Sequence, residues 1–282
     1  MKIYTKKYMQ YAAVAFSAIV MLSCQKMDKP SLADYPKDAN PPGGPLKFYA
    51  AFNGTTDDPL MNAVDSIRAN FPSDNPLAST DGISGKGIQC VDGKAIKYPT
   101  ANDFKNSTSF TVAFWLKNNP SANTELFFSL VDPTYGWHNS AVFLLIEHQT
   151  ASSSTFKFGL MDQWLEFVNE NKFNKPLFDN NWHHLAIAYD ENTSKVTYYH
   201  DGVALTGLPA NVTDVKKGGA PRGKLDFSKA TQLVIGGWNK HASITGPTDD
   251  WIHAYSGKMD QFRLYGKALT ASEVAALFNG KM

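Results

Sequence analysis

The sequence predicts an all-β fold, a β-sandwich or jelly roll closed by a short C-terminal helix, and three observations carry that expectation. Apolar and polar residues alternate with a period of two in several runs. Phe110, Val112, Phe114 and Leu116 interleave with Thr111, Ala113, Trp115 and Lys117, and Leu185, Ile187 and Tyr189 interleave with His184, Ala186 and Ala188. That period belongs to a strand with one face in a core. The runs are separated by clusters of Gly, Pro, Asn, Asp and Ser, the residues that turns select. Helix signals are scarce, and the clearest is Thr270-Ala271-Ser272-Glu273, a capping box in which the threonine and glutamate satisfy each other's backbone amides.

Taken from the N-terminus, the first segment reads as an export signal. Lys2, Lys6 and Lys7 precede an apolar stretch over residues 12–22, too short to span a bilayer as a helix. Its end, Met21-Leu22-Ser23-Cys24, resembles the lipobox of bacterial lipoproteins, with Met21 where that family usually has Leu. The resemblance implies that residues 1–23 are removed and that Cys24 carries lipid as the new N-terminus. Residues 24–45 contain Pro30, Pro36, Pro41, Pro42 and Pro45 with Gly43-Gly44, a tether that averages about 25 Å as flexible coil and more with its prolines. The segment Cys24-Gln25-Lys26-Met27-Asp28-Lys29 is similar to the surface-export tags of some Gram-negative lipoproteins, although it has one Asp where they have several acidic residues. The expected location is the outer membrane, lipid-anchored and exposed at the cell surface, with membrane lipid and neighbouring surface lipoproteins as partners.

Residues 46–282 then form one expected domain. Strand-like runs occur at 46–52, 110–117, 126–131, 141–147, 155–160, 184–189, 195–200, 232–236 and 258–265. Around Cys90, Ile88-Gln89-Cys90-Val91 alternates as a half-buried strand does. With Cys24 lipidated, Cys90 has no partner, and an unpaired exported cysteine is expected to be buried as a small hydrophobe. The chain has 27 Lys+Arg against 26 Asp+Glu in 282 residues, which gives no electrostatic footprint for nucleic acid. Its two cysteines exclude a disulfide scaffold or a Cys-rich zinc module. At 43% hydrophobic and 13% aromatic residues, it is too apolar for disorder.

Six motifs in order place this domain. They are Phe110-Thr111-Val112-Ala113-Phe114-Trp115-Leu116-Lys117, Trp182-His183-His184-Leu185-Ala186-Ile187-Ala188-Tyr189-Asp190, Tyr198-Tyr199-His200-Asp201-Gly202, Leu233-Val234-Ile235-Gly236-Gly237, Gly257 to Tyr265, and Ala268-Leu269-Thr270-Ala271-Ser272-Glu273. Together they resemble the laminin-G-like, concanavalin A-like lectin/glucanase superfamily over residues 46–282. The resemblance implies two stacked antiparallel sheets, with many members binding carbohydrate and some hydrolysing it. A fold of this kind does not fix function.

Hydrolysis needs two carboxyl groups flanking the scissile bond, which the glucanase members supply as Glu-x-Asp-x-x-Glu. None of Glu125, Glu147, Glu166, Glu170, Glu191 and Glu273 is followed two residues later by Asp, so the expected activity is non-catalytic. Adjacent His183 and His184 point to opposite faces of a strand and cannot share one metal. The superfamily's structural Ca²⁺, which clips the first strand to the last through oxygen ligands, implies Asp260 with Asn53 and Asp57 as its ligands. For glycan, the expected contacts are Trp137, Trp164, Trp238 and Trp251, which lie in or beside loops among polar residues, together with His241. Ala113, Ala186 and Ala188 leave a small-residue floor with room for a ligand or an overlying loop. The expected function is capture of extracellular polysaccharide or glycoprotein glycans. A structural or protein-adhesion module and a divergent glycoside hydrolase are the alternatives.

Overall fold

The computed structural model describes residues 44–52 and 76–281. By its contacts the chain divides into Met1–Ala39 and Asn40–Met282, and the described residues belong to the second unit. Their first strands are β1 (Leu46–Ala50), β2 (Ala78–Asp81), β3 (Lys86–Gln89), β4 (Ile96–Tyr98), β5 (Phe110–Lys117) and β6 (Thr124–Val131). Next come β7 (Ser140–Glu147), β8 (Thr155–Leu160), β9 (Gln163–Phe167), β10 (His183–Asp190), β11 (Lys195–His200) and β12 (Val203–Ala204). After helix α1 (Ala210–Thr213) follow β13 (Lys216–Lys217), β14 (Ala220–Pro221), β15 (Leu233–Ile235), β16 (Ile252–Ala254) and β17 (Lys258–Tyr265), and helix α2 (Ala271–Asn279) closes the chain.

Two sheets stack face to face. The first runs β12-β11-β10-β5-β17-β3-β2, with β1 also paired to β17; the second runs β4-β15-β6-β7-β8-β9, with β16 parallel to β6. β13 and β14 form a separate small hairpin. The alternating residues read from the sequence supply the core between the sheets. Phe110, Val112, Phe114, Leu116, Leu185, Ile187 and Tyr189 are all buried there, and Phe114 stacks on Phe262 at 5.6 Å between ring centroids. Cys90 is buried and unpaired, as expected of it, and burial raises its thiol pKa.

The outer face of the first sheet carries the alanine floor, and α2 is what fills it. Ala113, Ala186 and Ala188 form one cluster with Leu269 and Val274, against which Leu277 packs. Phe278 stacks on Trp115 at 5.4 Å. The expected capping box is present, with the Thr270 hydroxyl accepting from the Glu273 amide and Glu273 accepting from the Thr270 amide. Of the strands that alternation did not reveal, β2, β4, β12, β13, β14 and β16 are two to four residues long, too short for a period of two to register, and β9, at five residues, is the longest one missed.

Candidate functional site

The outer face of the second sheet is apolar and only partly covered. β7 reads Ala141-Val142-Phe143-Leu144-Leu145-Ile146 with no polar alternation, so both of its faces are apolar. Val142, Leu144 and Ile146 join the core between the sheets. Phe143 and Leu145 point outward into a second cluster with Leu126, Ile252 and Trp238, against which Trp164 packs. Gly159 lies opposite both Phe143 and Trp164 in the strand register. A Cβ at Gly159 would collide with the Phe143 ring, so the glycine is what lets that ring lie flat across the sheet.

All four tryptophans expected to contact glycan converge here, Trp164 from within β9. Trp238 stacks on Phe143 at 5.0 Å, Trp164 meets the same ring edge-on at 4.8 Å, and Trp137 stands edge-on to Trp238 at 5.4 Å. Trp251 stacks on Trp137 at 6.0 Å with a 30° tilt. Trp137 and Trp251 are 49% and 43% exposed. Beside them Thr124, Leu145, Glu147, Lys157, Trp164 and Trp251 line a cavity of about 340 Å³. Its polar wall is organised: Glu147 pairs with Lys157 at 2.6 Å and accepts from the Thr124 hydroxyl at 3.2 Å, while Glu166 lies 3.9 Å from the same lysine.

Two expected contact residues have other places. Trp238 is fully buried, and its indole N–H donates to the Ser140 hydroxyl at 2.9 Å. Ser140 meets Ser129 at 2.7 Å, Ser129 donates to Asn239, and Asn239 donates to the Asn139 and Thr245 carbonyls. Buried polar groups need such partners, and this chain of them fixes the loop under which Trp238 is sunk. His241 is half-buried and accepts from the Trp238 amide at 3.0 Å through Nδ1. Burial, and next the charge of Lys240, hold its pKa down at about 4. Both residues therefore support the exposed tryptophan pair from beneath. Thr124, Phe143, Leu145, Glu147 and Lys157 were not singled out in the sequence. The unbroken apolar run of β7 was the available signal, because a strand apolar on both faces needs a cover on each.

Of the calcium set, Asn53 and Asp57 lie outside the described residues, as does Cys24. Asp260 is buried at a bulge of β17, where Gln261 takes a positive φ of 49° and the pairing to β5 shifts register. Its carboxylate accepts from the Ile83 amide at 2.8 Å and the Gln261 amide at 2.7 Å. Burial pushes its pKa up to about 7 against those amides and Arg263. The Ser84 amide bonds the same carboxylate, so three amides orient Asp260, and of the four or so lone-pair sites on its two oxygens one is left for a further ligand.

Two stacked sheets with a bulged terminal strand and a helix over the outer alanines define a jelly-roll sandwich of the concanavalin A type. The Laminin_G_3 family, the concanavalin A-like lectin/glucanases superfamily, matches residues 92–275, and the chain belongs to it. No curated protein sequence matches the chain. Among solved structures, it is similar to domain 4 of a GH43 extracellular arabinanase from Geobacillus stearothermophilus in complex with arabinotriose, at 20% identity and a TM-score of 0.50 over 82% of this chain and 97% of that one. It is also similar to the CBM40 of an IT-sialidase from Ruminococcus gnavus bound to α2,3 sialyllactose, at 15% identity and a TM-score of 0.47 over 68% of this chain and 95% of that one.

Proposed function

We propose that this chain is a surface-tethered, non-catalytic glycan-binding lipoprotein that captures extracellular polysaccharide or glycoprotein glycans on the outer face of its second sheet. The observation that carries the proposal is the exposed, mutually stacked Trp137–Trp251 pair beside a cavity of about 340 Å³ walled by Glu147, Lys157 and Thr124. Sugar rings present apolar C–H faces that pack on aromatic planes, while their hydroxyls need fixed donors and acceptors. Sites of this kind combine an apolar surface with a few placed polar groups. The arabinanase domain on the same fold holds arabinotriose, which supports an oligosaccharide as the ligand class here. Absence of catalysis is supported by Glu147, a carboxylate that lines the cavity, being held in an ion pair with Lys157 at 2.6 Å.

A glycan array probed with the full chain tests this directly. Binding to one polysaccharide class without release of reducing sugar is expected. Reducing-sugar release would move the protein to the hydrolases, and an array without any signal would favour the adhesion module. The proposal includes a structural Ca²⁺ held by Asp260 with Asn53 and Asp57. Chelation should then lower the melting temperature, because a ligand bound only by the native state stabilises it by RT ln(1 + [L]/Kd), and Asp260→Ala should abolish that response. A melt indifferent to chelator and to added calcium would leave Asp260 as a carboxylate held by amides alone.

A further inference from the structure

We propose that His183, His200 and Asp201, on the opposite sheet from the tryptophans, form a binding site for a divalent transition-metal ion of the zinc class. The hairpin of β10 and β11 brings them together. His183 opens β10, His200 ends β11, and Asp201-Gly202 make the two-residue turn into β12 with positive φ values of 49° and 79°. Such turns require φ > 0 at both positions and therefore favour Asp-Gly. A Cβ at Gly202 would also stand 2.9 Å from Phe278 of α2, so both the turn and the helix packing demand glycine there.

The turn aims the carboxylate. Asp201 Oδ1 accepts from the His184 amide at 2.8 Å, which leaves Oδ2 at 2.9 Å from His183 Nδ1 and 3.5 Å from His200 Nε2. The two imidazoles lie 5.1 Å apart with a 29° tilt, and one donor atom from each of the three residues falls within 4.8 Å of the others. A tetrahedral zinc ion with ligands at about 2.0–2.1 Å separates its donors by roughly 3.3 Å, a spacing that the two distances from Asp201 Oδ2 bracket. On its far side, His183 Nε2 faces Asp179 Oδ1 at 2.9 Å. A carboxylate on the second nitrogen is how metal-binding histidines are oriented.

The proton balance is simple. An ion at His183 Nδ1 takes the place of the proton which that nitrogen shares with Asp201, and the proton leaves to solvent. His200 Nε2 donates to the Pro176 carbonyl at 2.6 Å; because that nitrogen has a single in-plane lone pair, ligation moves the proton to Nδ1 and turns the ring from Pro176 toward Asp201. His200 and Asp201 also line a cleft of about 660 Å³ with Lys172, Lys175 and Leu205, which gives the ion an entry path and leaves a coordination position facing solvent. Two imidazoles and one carboxylate suit zinc, cobalt or nickel, whereas calcium takes six to eight oxygens.

The test is Co²⁺ titration of the EDTA-treated full chain. One equivalent should produce the visible ligand-field absorption of four-coordinate Co²⁺, and Zn²⁺ should displace it. His200→Ala should abolish the spectrum and weaken Zn²⁺ binding at least tenfold, and His200→Gln, which retains a donor for Pro176, should do the same. Asp179→Asn should weaken binding by about 10–100-fold. No uptake by the wild type, or uptake by both His200 variants equal to that of the wild type, would overturn the site. Either result leaves the tryptophan face untouched.

Discussion

Trp137 and Trp238 touch edge to face at 5.4 Å, yet one is half exposed and the other fully buried, so the same truncation should have opposite consequences. Trp238→Ala should destabilise the fold by about 3–5 kcal/mol, the scale of a large aromatic lost from a packed site, as measured by denaturant unfolding. Trp137→Ala should leave the melting temperature nearly unchanged. The histidines give a pH dependence. Burial holds His241 at about 4 and His184 at about 3, whereas an unfolded histidine titrates near 6.5. Between those values these two histidines bind more protons in the unfolded chain than in the native one, so their contribution to stability rises with pH up to about 6.5 and is lost on acidification below it. Asp260, held at about 7, takes up its proton in the native state over the same window and acts in the opposite direction, so the contribution is read as a difference: from pH 7 to 5 the melting temperature of the wild type should fall relative to that of His241→Gln. An identical slope in the variant would show that His241 does not contribute. At this scale the sequence was only partly legible. It marked the four tryptophans as a group, but a polar neighbourhood does not distinguish an exposed ring from one sunk beneath its own loop, and Trp238 has His241 and Asn239 beside it because they tie that loop down.

Among the elements, β5 and β10 were readable because each is eight residues long and buries one alternating face in the shared core, whereas the equally long β17 breaks its alternation at the bulge between Asp260 and Arg263. The C-terminal helix was readable from its cap, and Thr270→Ala should cost about 1 kcal/mol, seen as a lower denaturation midpoint. What covers an element was harder to read. The alanines of β5 and β10 implied space, and only the fold shows that α2 occupies it. The convergence of His183 with His200 was likewise hidden, because it follows from the hairpin register, in which Leu185 faces His200, and the spacing of the two histidines along the chain does not state that register. β8 offers a sharper test of the tryptophan face. Gly159→Ala places a methyl group against the Phe143 ring, and overpacking of this kind costs about 1–3 kcal/mol. Since Phe143 supports both Trp238 and Trp164, the variant should lose stability and glycan retention together. Full retention with a wild-type melt would mean that the ring is free to move aside.

For the whole molecule, the proposed anchor and the proposed site make separable demands. No described helix is long and apolar enough to cross a membrane, so membrane association through the proposed lipid should depend on Cys24. Cys24→Ala should shift the protein from the membrane to the soluble fraction, and unchanged partitioning would contradict the lipoprotein proposal. Glycan binding should survive that change, because the tryptophan pair belongs to the sandwich. The most direct test of glycan capture is affinity electrophoresis of the wild type against Trp251→Ala in gels containing the polysaccharide found on the array. Retention should fall at least tenfold, the scale of a truncated aromatic anchor, with an unchanged melting temperature. Retention equal to that of the wild type would contradict a binding site on this face.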